Sequence, residues 1–274
     1  MDLKIEKVKE SRIKEVDFSK LSFGRTFADH MFICEYKDGK WQNPTIKPYG
    51  ALSLEPSASV FHYGQAVFEG MKAYKDDNGH VFLFRPQENY KRINKSCERL
   101  AMPAFPEEWF DKALRTLVDI DSEWIKPGFG NALYLRPFVI ATTPGVQASP
   151  AKDYLFIIIT APVQSYYSGD VRVKIADYYS RAANGGFGFA KAAGNYAGQF
   201  YPTQQAAAEG YQQVMWTDDA THQYLEEAGT MNLWFRLGDT LVTCPTSERI
   251  LDGVTRKSII AVAEKLGIKT EIRP

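Results

Sequence analysis

Cysteine and histidine are scarce in this 274-residue chain. There are three cysteines, Cys34, Cys97 and Cys244, and four histidines. The cysteines are scattered, odd in number and form no C-x-x-C pair, which argues against a disulfide framework and against a structural zinc site. The scattered histidines do not suggest a metal cluster either. We therefore expect no metal, and a reducing compartment, most simply the cytoplasm.

An excess of charge of one sign is also absent, as is any long apolar run. The 33 basic residues balance the 33 acidic ones, so no overall field attracts nucleic acid or an anionic membrane. No stretch approaches the length of a membrane span, and the charged N-terminus, MDLKIEKVKES, lacks the apolar core of a signal peptide. We expect neither nucleic acid nor a membrane as a partner.

What the chain does contain is enough apolar material for a large core, 45% hydrophobic and 14% aromatic residues. Helical and strand-like patterns are mixed along the chain, which predicts an α/β (α+β) protein. The turn-rich segment VQSYYSGD, 163–170, predicts a linker between a smaller N-terminal domain, 1–162, and a C-terminal domain, 171–274. The pattern predicts strands at 25–36, 80–86, 131–143, 153–163, 171–178 and 212–218, a strand pair within 226–244, and helices at 88–100, 107–124, 197–210 and 253–267.

The segment GFGFAKAAGNYAG, 186–198, surrounds Lys191 with glycine and alanine. Such small residues let the backbone approach a bulky ligand closely. Schiff-base chemistry needs a lysine that is neutral often enough to attack a carbonyl, and burial favours that state. A lysine in an exposed flexible loop explains the same letters, so the segment alone leaves both interpretations open.

Three further features are equally ambiguous when each is taken alone. GVTRKS, 253–258, begins a helix after a glycine and suits a phosphate, or is an ordinary helix start. EEAGTMN, 226–232, offers a carboxylate that could hold a proton on a ring nitrogen, or a β-bulge with solvated acids. Arg92 is either a phosphate anchor or a solvated helix arginine.

Together these features resemble the branched-chain aminotransferases, within the fold-type IV pyridoxal-phosphate enzymes. The resemblance extends from about Phe23 to the last residue. The long N-terminal part resembles the branched-chain group more than the D-amino-acid group. The matching blocks, in order, are FGRTFADHM, HYGQAVFEGMKAY, LFRPQENYKRI, LYLRPFVI, SRAANGGFGFAKAAGNYAG, EEAGTMN and ILDGVTRKSI.

The resemblance implies roles for individual residues around pyridoxal 5'-phosphate. Lys191 matches the lysine that bonds covalently to the cofactor and then moves the proton of the substrate. Tyr196 matches the hydrogen-bond partner of the phenolic oxygen of the cofactor, and Glu227 the acid that pairs with the pyridine nitrogen. The phosphate would be held by Arg92 and by the helix start at Val254 and Thr255.

The same resemblance implies a substrate pocket. Aromatic side chains there suit an aliphatic substrate, and Arg136 offers a cation for the distal carboxylate of glutamate. Plain core packing explains the aromatic residues equally well when each is taken singly. The pocket residues implied are Phe27, Tyr63, Phe68, Tyr134, Arg136, Tyr166 and Thr230.

The implied activity is transamination of leucine, isoleucine and valine with 2-oxoglutarate, giving branched-chain 2-oxo acids and glutamate, as in branched-chain amino-acid biosynthesis. The family resemblance also implies a homodimer. Members of the family continue for several dozen residues past the position of Pro274, with a Gly-Thr-Ala loop at the phosphate, so we expect an incomplete C-terminal domain. The alternatives are a D-amino-acid aminotransferase, an aminodeoxychorismate-lyase-like relative, or an inactive fragment.

Overall fold

The computed structural model describes residues 2–165 and 169–274. The chain divides into two compact units, unit 1 at Met1–Ser168 and unit 2 at Gly169–Pro274. The division falls inside the segment for which the sequence predicts a linker, although strand pairing extends to Val163, the first residue of that segment. The domain limits taken from the sequence remain a prediction, and each unit is described by itself.

Unit 1 is built on a mixed sheet whose long strands are antiparallel. Its strands pair in the order β1-β3-β2-β8-β7-β5-β6, with β4 also paired to β7. The strands are β1 (Lys4–Ile5), β2 (His30–Lys37), β3 (Lys40–Pro48), β4 (Ala66–Phe68), β5 (Met71–Lys75), β6 (Val81–Leu83), β7 (Ala132–Ala141) and β8 (Tyr154–Val163).

Strand β7 shows why the residues of this unit divide into two faces. Successive side chains of a strand point to opposite sides, and burial alternates along β7, with Leu133, Leu135 and Val139 fully buried. Tyr134 and Arg136 lie on the other, half-buried face. The alternation therefore holds one face of β7 in the core and presents Tyr134 and Arg136 on the opposite face.

Three helices accompany this sheet, α1 (Ser59–Tyr63), α2 (Pro86–Arg99) and α3 (Glu107–Ile120). The sequence predicts an apolar stripe of Ile93, Cys97 and Leu100 on α2. Ile93 and Cys97 are fully buried, as predicted, and Leu100 is half-buried. Helix α3 ends at Ile120, earlier than the sequence predicts. There the backbone leaves the helix at Asp121, whose buried carboxylate accepts hydrogen bonds from the backbone and the ring of His30, and residues 122–124 form a 3-10 turn.

Unit 2 contains two small sheets and three helices. One sheet has the order β12-β11-β10-β9 and the other β13-β14-β15. Trp216 and Val214 of β10 pack with Ala176 and Ala206 in a small apolar cluster. The elements are β9 (Val173–Ile175), α4 (Ala193–Ala197), α5 (Phe200–Ala208), β10 (Gln213–Thr217), β11 (Leu225–Ala228), β12 (Met231–Asn232), β13 (Phe235–Leu237), β14 (Thr240–Thr243), α6 (Val254–Lys265) and β15 (Lys269–Ile272).

Two sequence expectations about the end of unit 2 are wrong. The apolar spacing in the sequence predicts that Ile259, Val262 and Leu266 face inward on α6, but Val262 and Leu266 are mostly exposed. Its buried side instead carries Arg256 and Ala263, and Arg256 donates a hydrogen bond of 2.8 Å to the carbonyl of Cys244, which fixes the rotation of the helix. The sequence also predicts that KTEIRP, 269–274, starts a strand without a partner, yet β15 pairs in parallel with β14.

Candidate functional site

Lys191 and Tyr196 form a hydrogen-bonded pair in unit 2. Nζ of Lys191 donates to the hydroxyl of Tyr196 at 2.7 Å and lies 4.9 Å from the centroid of its ring. Tyr196 lies in helix α4, five residues after Lys191. Both side chains are half-buried. The amine is therefore held at a defined place, and the interpretation of Lys191 as part of a flexible exposed loop is wrong.

Asn195 fixes the backbone that leads to this lysine. Its side-chain amide donates to the carbonyls of Phe187 and Ala190 at 2.8 and 2.9 Å. Ala190 and Ala192, on either side of the lysine, are buried. Small residues let this segment pack tightly, and a polar side chain from α4 satisfies its carbonyl groups. These contacts hold residues 187–192, here called the lysine segment, in a defined conformation around Lys191.

Glu227 is a buried acid on β11. Only 4% of it is exposed, and this burial raises the pKa of its carboxyl group to about 7, although the cations of Arg181 and Lys191 lower it. Glu226, on the other side of the strand, is also buried and pairs with Arg249 at 2.6 Å. The interpretation of these two residues as solvated acids is therefore wrong.

The carboxylate of Glu227 is tied to the segment that precedes α6. The backbone N–H of Leu251 donates to it at 3.3 Å, and the side chain of Asn232 links it to the carbonyl of Leu251. The same stretch before α6 also contacts the residues next to Lys191, because the N–H of Phe189 donates to the carbonyl of Glu248 at 2.9 Å. The stretch from 248 to 253 thus holds three features together: the lysine segment, the buried acid and the start of α6.

Helix α6 begins at Val254, with Gly253 as its N-cap. The N–H groups in the first turn of a helix have no partner within the helix and lie at the positive end of its dipole. Val254 is buried and Thr255 is exposed in this turn. A Cβ on Gly253 would overlap the side-chain oxygen of Asn232, so the glycine permits a close approach here.

Arg92 lies in unit 1, on α2, in a buried ion pair. Its Nε and Nη2 donate to the two carboxylate oxygens of Glu69 at 2.6 and 2.8 Å, and the side-chain exposures are 12% and 0%. Asn89 donates to the same carboxylate at 2.7 Å. The interpretation of Arg92 as a solvated helix arginine is wrong, and its role toward a phosphate stays a prediction.

Four of the predicted substrate residues are neighbours in unit 1. The guanidinium group of Arg136 donates to the hydroxyl of Tyr134 at 3.0 and 3.1 Å and lies 4.5 Å from the ring centroid of Phe68. Phe27 joins Tyr134 and Arg136 in lining a cavity of about 120 Å³. The arrangement combines aromatic surface with one cation, as an aliphatic substrate with a second carboxylate requires.

The other predicted substrate residues are placed differently. The hydroxyl of Tyr63 donates to the carbonyl of Val146, and 46% of this tyrosine is exposed. Thr230 is exposed in the two-residue turn that joins β11 to β12 in unit 2. Tyr166 lies outside the described residues. The substrate role of all three stays a prediction.

The cysteines offer no reactive thiol. Burial raises the pKa of Cys34 and Cys97 to about 12 and that of Cys244 to about 11. Across residues 2–165 and 169–274, no group of three or more metal-ligating His, Cys, Asp or Glu side chains occurs. None of the helices in the same ranges combines the length and the hydropathy needed to cross a bilayer. The lysine, the tyrosine and the buried acid are therefore the candidate reactive groups among the described residues.

Comparison with known proteins assigns the family. A family model described as amino-transferase class IV matches residues 66–274. The chain belongs to the class IV aminotransferases. Branched-chain-amino-acid transaminase 1 of Bacillus subtilis (strain 168) is 47% identical to this aminotransferase over 274 residues, 98% of this chain and 77% of that protein. Branched-chain-amino-acid aminotransferase 2 of the same strain is 44% identical over 94% of this chain and 72% of its own length.

Solved structures of similar proteins show the same fold. The branched-chain amino acid aminotransferase of Escherichia coli superposes with a TM-score of 0.73 at 23% identity, covering 89% of this chain and 77% of that one. The branched-chain amino acid aminotransferase of Thermobaculum terrenum, in its PLP-bound holo-form, gives a TM-score of 0.71 at 20% identity over 88% and 76% of the two chains. These likenesses confirm the predicted α/β fold of the aminotransferase.

The residues of unit 2 fit a pyridoxal-phosphate cofactor. The cofactor requires a primary amine for its carbonyl group, which Lys191 has, and a hydrogen-bond donor beside that amine, which Tyr196 supplies. Its ring nitrogen requires an acid shielded from water, which Glu227 provides. Its phosphate suits the first turn of α6. Apart from Arg92, which lies in unit 1, these are the residues that the resemblance implies for the cofactor.

Sequence reasoning missed three residues of this aminotransferase. Arg181 contacts Glu227, Glu69 holds Arg92, and Asn195 fixes the lysine segment. All three lie inside the matching motifs, and each has a small or apolar residue directly beside it. That contrast is the signal that could have identified them, because a polar group in such surroundings needs a partner.

Proposed function

We propose that this class IV aminotransferase is a pyridoxal-phosphate-dependent transaminase of branched-chain L-amino acids. It transfers an amino group between leucine, isoleucine or valine and 2-oxoglutarate, giving the branched-chain 2-oxo acids and L-glutamate. The observation that carries the proposal is the Lys191–Tyr196 pair, in the same unit as the buried Glu227. The names of relatives at 44% and 47% identity support the branched-chain substrates.

Bound pyridoxal phosphate supplies a carbonyl group for the substrate amine and a ring that withdraws electrons from the substrate Cα. Lys191 moves the proton at Cα, because its amine becomes a base once the substrate amine replaces it. Tyr196 orients Nζ of Lys191 through their hydrogen bond. Glu227 holds a proton at the ring nitrogen, and Arg92, Val254 and Thr255 bind the phosphate.

The substrate pocket serves both partners of the exchange. Phe27, Phe68 and Tyr134 contact an aliphatic side chain, and Arg136 binds the distal carboxylate of glutamate. Tyr63, Tyr166 and Thr230 complete the proposed pocket. One pocket then accepts an apolar and an acidic substrate in turn, since the aromatic groups and the cation lie side by side.

A spectroscopic test with a matched variant examines this proposal. Purified protein mixed with pyridoxal phosphate should develop a visible absorption band that borohydride fixes to the chain. Lys191→Ala should bind the cofactor without this covalent link, and it should lose activity by about 10²–10⁴-fold or more. Lys174→Ala, which removes a half-buried lysine paired with Glu209, should retain both properties. A wild-type protein that never develops the band contradicts the proposal.

Assays with both enantiomers of leucine distinguish a branched-chain L-amino-acid aminotransferase from a D-amino-acid aminotransferase. We expect turnover of L-leucine with 2-oxoglutarate and none of D-leucine. Turnover of D-leucine alone would identify a D-amino-acid aminotransferase instead. We further propose a cytoplasmic homodimer, which sedimentation should reveal as twice the chain mass of 31.0 kDa.

A further inference from the structure

Arg181 has a buried guanidinium group in unit 2. Its side chain is 4% exposed, and its Nη1 lies 2.8 Å from a carboxylate oxygen of Glu227. The same group donates to the carbonyl of Arg249 at 2.8 Å and to that of Gly188 at 3.1 Å. A guanidinium group carries five N–H donors in a rigid plane, so several partners together fix its orientation.

These partners belong to three different parts of the proposed site. Gly188 lies three residues before Lys191, Glu227 is the buried acid, and Arg249 lies in the stretch that leads to α6. Arg181 therefore ties the lysine segment, the acid and the start of the helix to one side chain. An ordinary surface ion pair would not have this arrangement, since it orders two side chains and little else.

The charge of Arg181 acts mainly on the carboxylate that it contacts. A cation stabilises the ionised form of an acid beside it. A heterocycle on the far side of that acid is more distant from the guanidinium group, so its own proton affinity falls less. When an acid and a ring nitrogen share one proton, this difference favours the proton on the ring.

We propose that Arg181 is a positioning residue that acts through Glu227 and keeps the shared proton on the ring nitrogen of bound pyridoxal phosphate. The inference rests on the proposed function. It goes further by assigning the protonation of the cofactor to a side chain that does not touch the substrate.

The other charged groups near Glu227 do not replace Arg181 in this role. Lys191 is engaged with Tyr196 and, as the proposed base, changes its own state during turnover. Glu226 is an acid, and its charge opposes ionisation of Glu227. Arg249 directs its side chain to Glu226 at 2.6 Å and to Asp219 at 3.5 Å. Among the described residues, Arg181 makes the salt bridge to Glu227.

The test follows the ring nitrogen directly. Pyridoxal phosphate labelled with ¹⁵N in the ring is bound to the wild-type protein and to Arg181→Gln, and the ¹⁵N chemical shift is recorded against pH. We expect a protonated nitrogen in the wild type. In Arg181→Gln the midpoint of its titration should fall by at least about one pH unit, which corresponds to a tenfold change in proton affinity. Arg181→Lys, which keeps the charge, should have a titration midpoint close to that of the wild type.

Cofactor affinity provides a second readout that does not depend on activity. Arg181→Gln should bind pyridoxal phosphate at least about tenfold more weakly, as expected for one pK unit. Its affinity for the 1-deaza analogue, which has carbon in place of the ring nitrogen, should change less than twofold. An equal loss for both ligands would mean that Arg181 only supports the backbone, and it would overturn the proposal.

Two control variants separate the possible failures. Arg249→Gln removes the neighbouring ion pair to Glu226 and should leave the ¹⁵N shift unchanged. Glu227→Gln should remove the proton from the ring. If it does not, the place of Glu227 in the proposed function is wrong. A wild-type protein that binds no pyridoxal phosphate would overturn both the proposed function and the inference. An unchanged ¹⁵N titration in Arg181→Gln, with the Glu227→Gln effect intact, would overturn the inference alone.

Discussion

At the scale of single residues, the proposed site depends on charges that are shielded from water. Glu227 is the clearest case, because burial raises the pKa of its carboxyl group from about 4.5 to about 7. When folding raises the pKa of an acid, the acid makes its full contribution to stability at pH values below the pKa that it has in the unfolded chain. The contribution is then lost as the pH rises through the folded pKa, because the unfolded chain ionises first.

This shift predicts a pH dependence for the protein without cofactor. Between pH 4.5 and pH 7.5, ionisation of Glu227 should lower the free energy of unfolding by up to about 3 kcal/mol. Glu227→Gln lacks this ionisation. Urea titrations at several pH values give the free energy of unfolding as a function of pH. Across this range, the free energy of the wild type should fall relative to that of the variant. Two parallel curves would contradict the prediction.

The ion pair between Glu69 and Arg92 predicts a large effect on stability. Glu69→Gln leaves a buried guanidinium group without its counter-charge, which costs about 3–5 kcal/mol of unfolding free energy. Asp111→Asn provides the comparison, because the Asp111–Arg115 pair is short but exposed. That variant should lose less than about 1 kcal/mol. Chemical denaturation of both variants measures the difference, and similar losses would contradict the argument.

Sequence reasoning proposed candidate reactive side chains, but not the residues that support them. Lys191, Tyr196 and Glu227 lie in recognisable motifs, and their chemistry can be inferred from side-chain type. Arg181 and Glu69 matter because of partners that are distant along the chain. Such a pairing depends on how the strands fold back, which a single sequence without a fold does not specify.

At the scale of elements, the glycines before Lys191 are not equivalent to those after it. A Cβ on Gly188 would lie 2.6 Å from the backbone oxygen of Arg249 and would overlap the Cβ of Ala182. A Cβ on Gly194, within α4, would have its nearest neighbour at 3.9 Å, on the ring of Phe187. The first glycine is required by close packing of two backbone segments, whereas the second has room for a side chain.

This difference predicts opposite outcomes for one added methyl group. Gly188→Ala should destabilise the protein by about 1–3 kcal/mol, because the lysine segment must move away from Arg249. Gly194→Ala should be neutral or stabilising by up to about 1 kcal/mol, since alanine favours the helix. Thermal unfolding of the two variants measures both effects. Equal destabilisation would show that the packing argument is wrong.

Helix α6 illustrates where element-level prediction from sequence fails. Its limits follow from Gly253 and Gly267, and both lie where the sequence predicts them. Its inward face does not follow, because the apolar pattern selects Val262 and Leu266 while the structure buries Arg256. A hydrogen bond from that arginine to the carbonyl of Cys244 decides the rotation. Apolar periodicity does not register a buried polar contact of this kind.

At the scale of the whole molecule, the two units differ in the size of their apolar clusters. Unit 1 has an extensive cluster that includes Phe32, Phe105, Leu114 and Phe156, whereas the cluster described for unit 2 is small. Apolar burial is the main favourable term in folding. Unit 2 therefore has less of this stabilisation, and it is also the unit that carries the proposed covalent lysine.

Hydrogen exchange should reveal both consequences. Without cofactor, amides of β7 and β8 should exchange most slowly, and those of β10 and β11 should exchange faster, because local opening is cheaper where less apolar surface is buried. Pyridoxal phosphate at one hundred times its dissociation constant adds about 2.7 kcal/mol to the state that binds it. Protection should then rise around Lys191 and Glu227, and it should rise less in Lys191→Ala, which lacks the covalent link. Equal protection of the two units without cofactor would contradict the argument from the clusters, and a uniform rise along the chain would contradict the placement of the cofactor in unit 2.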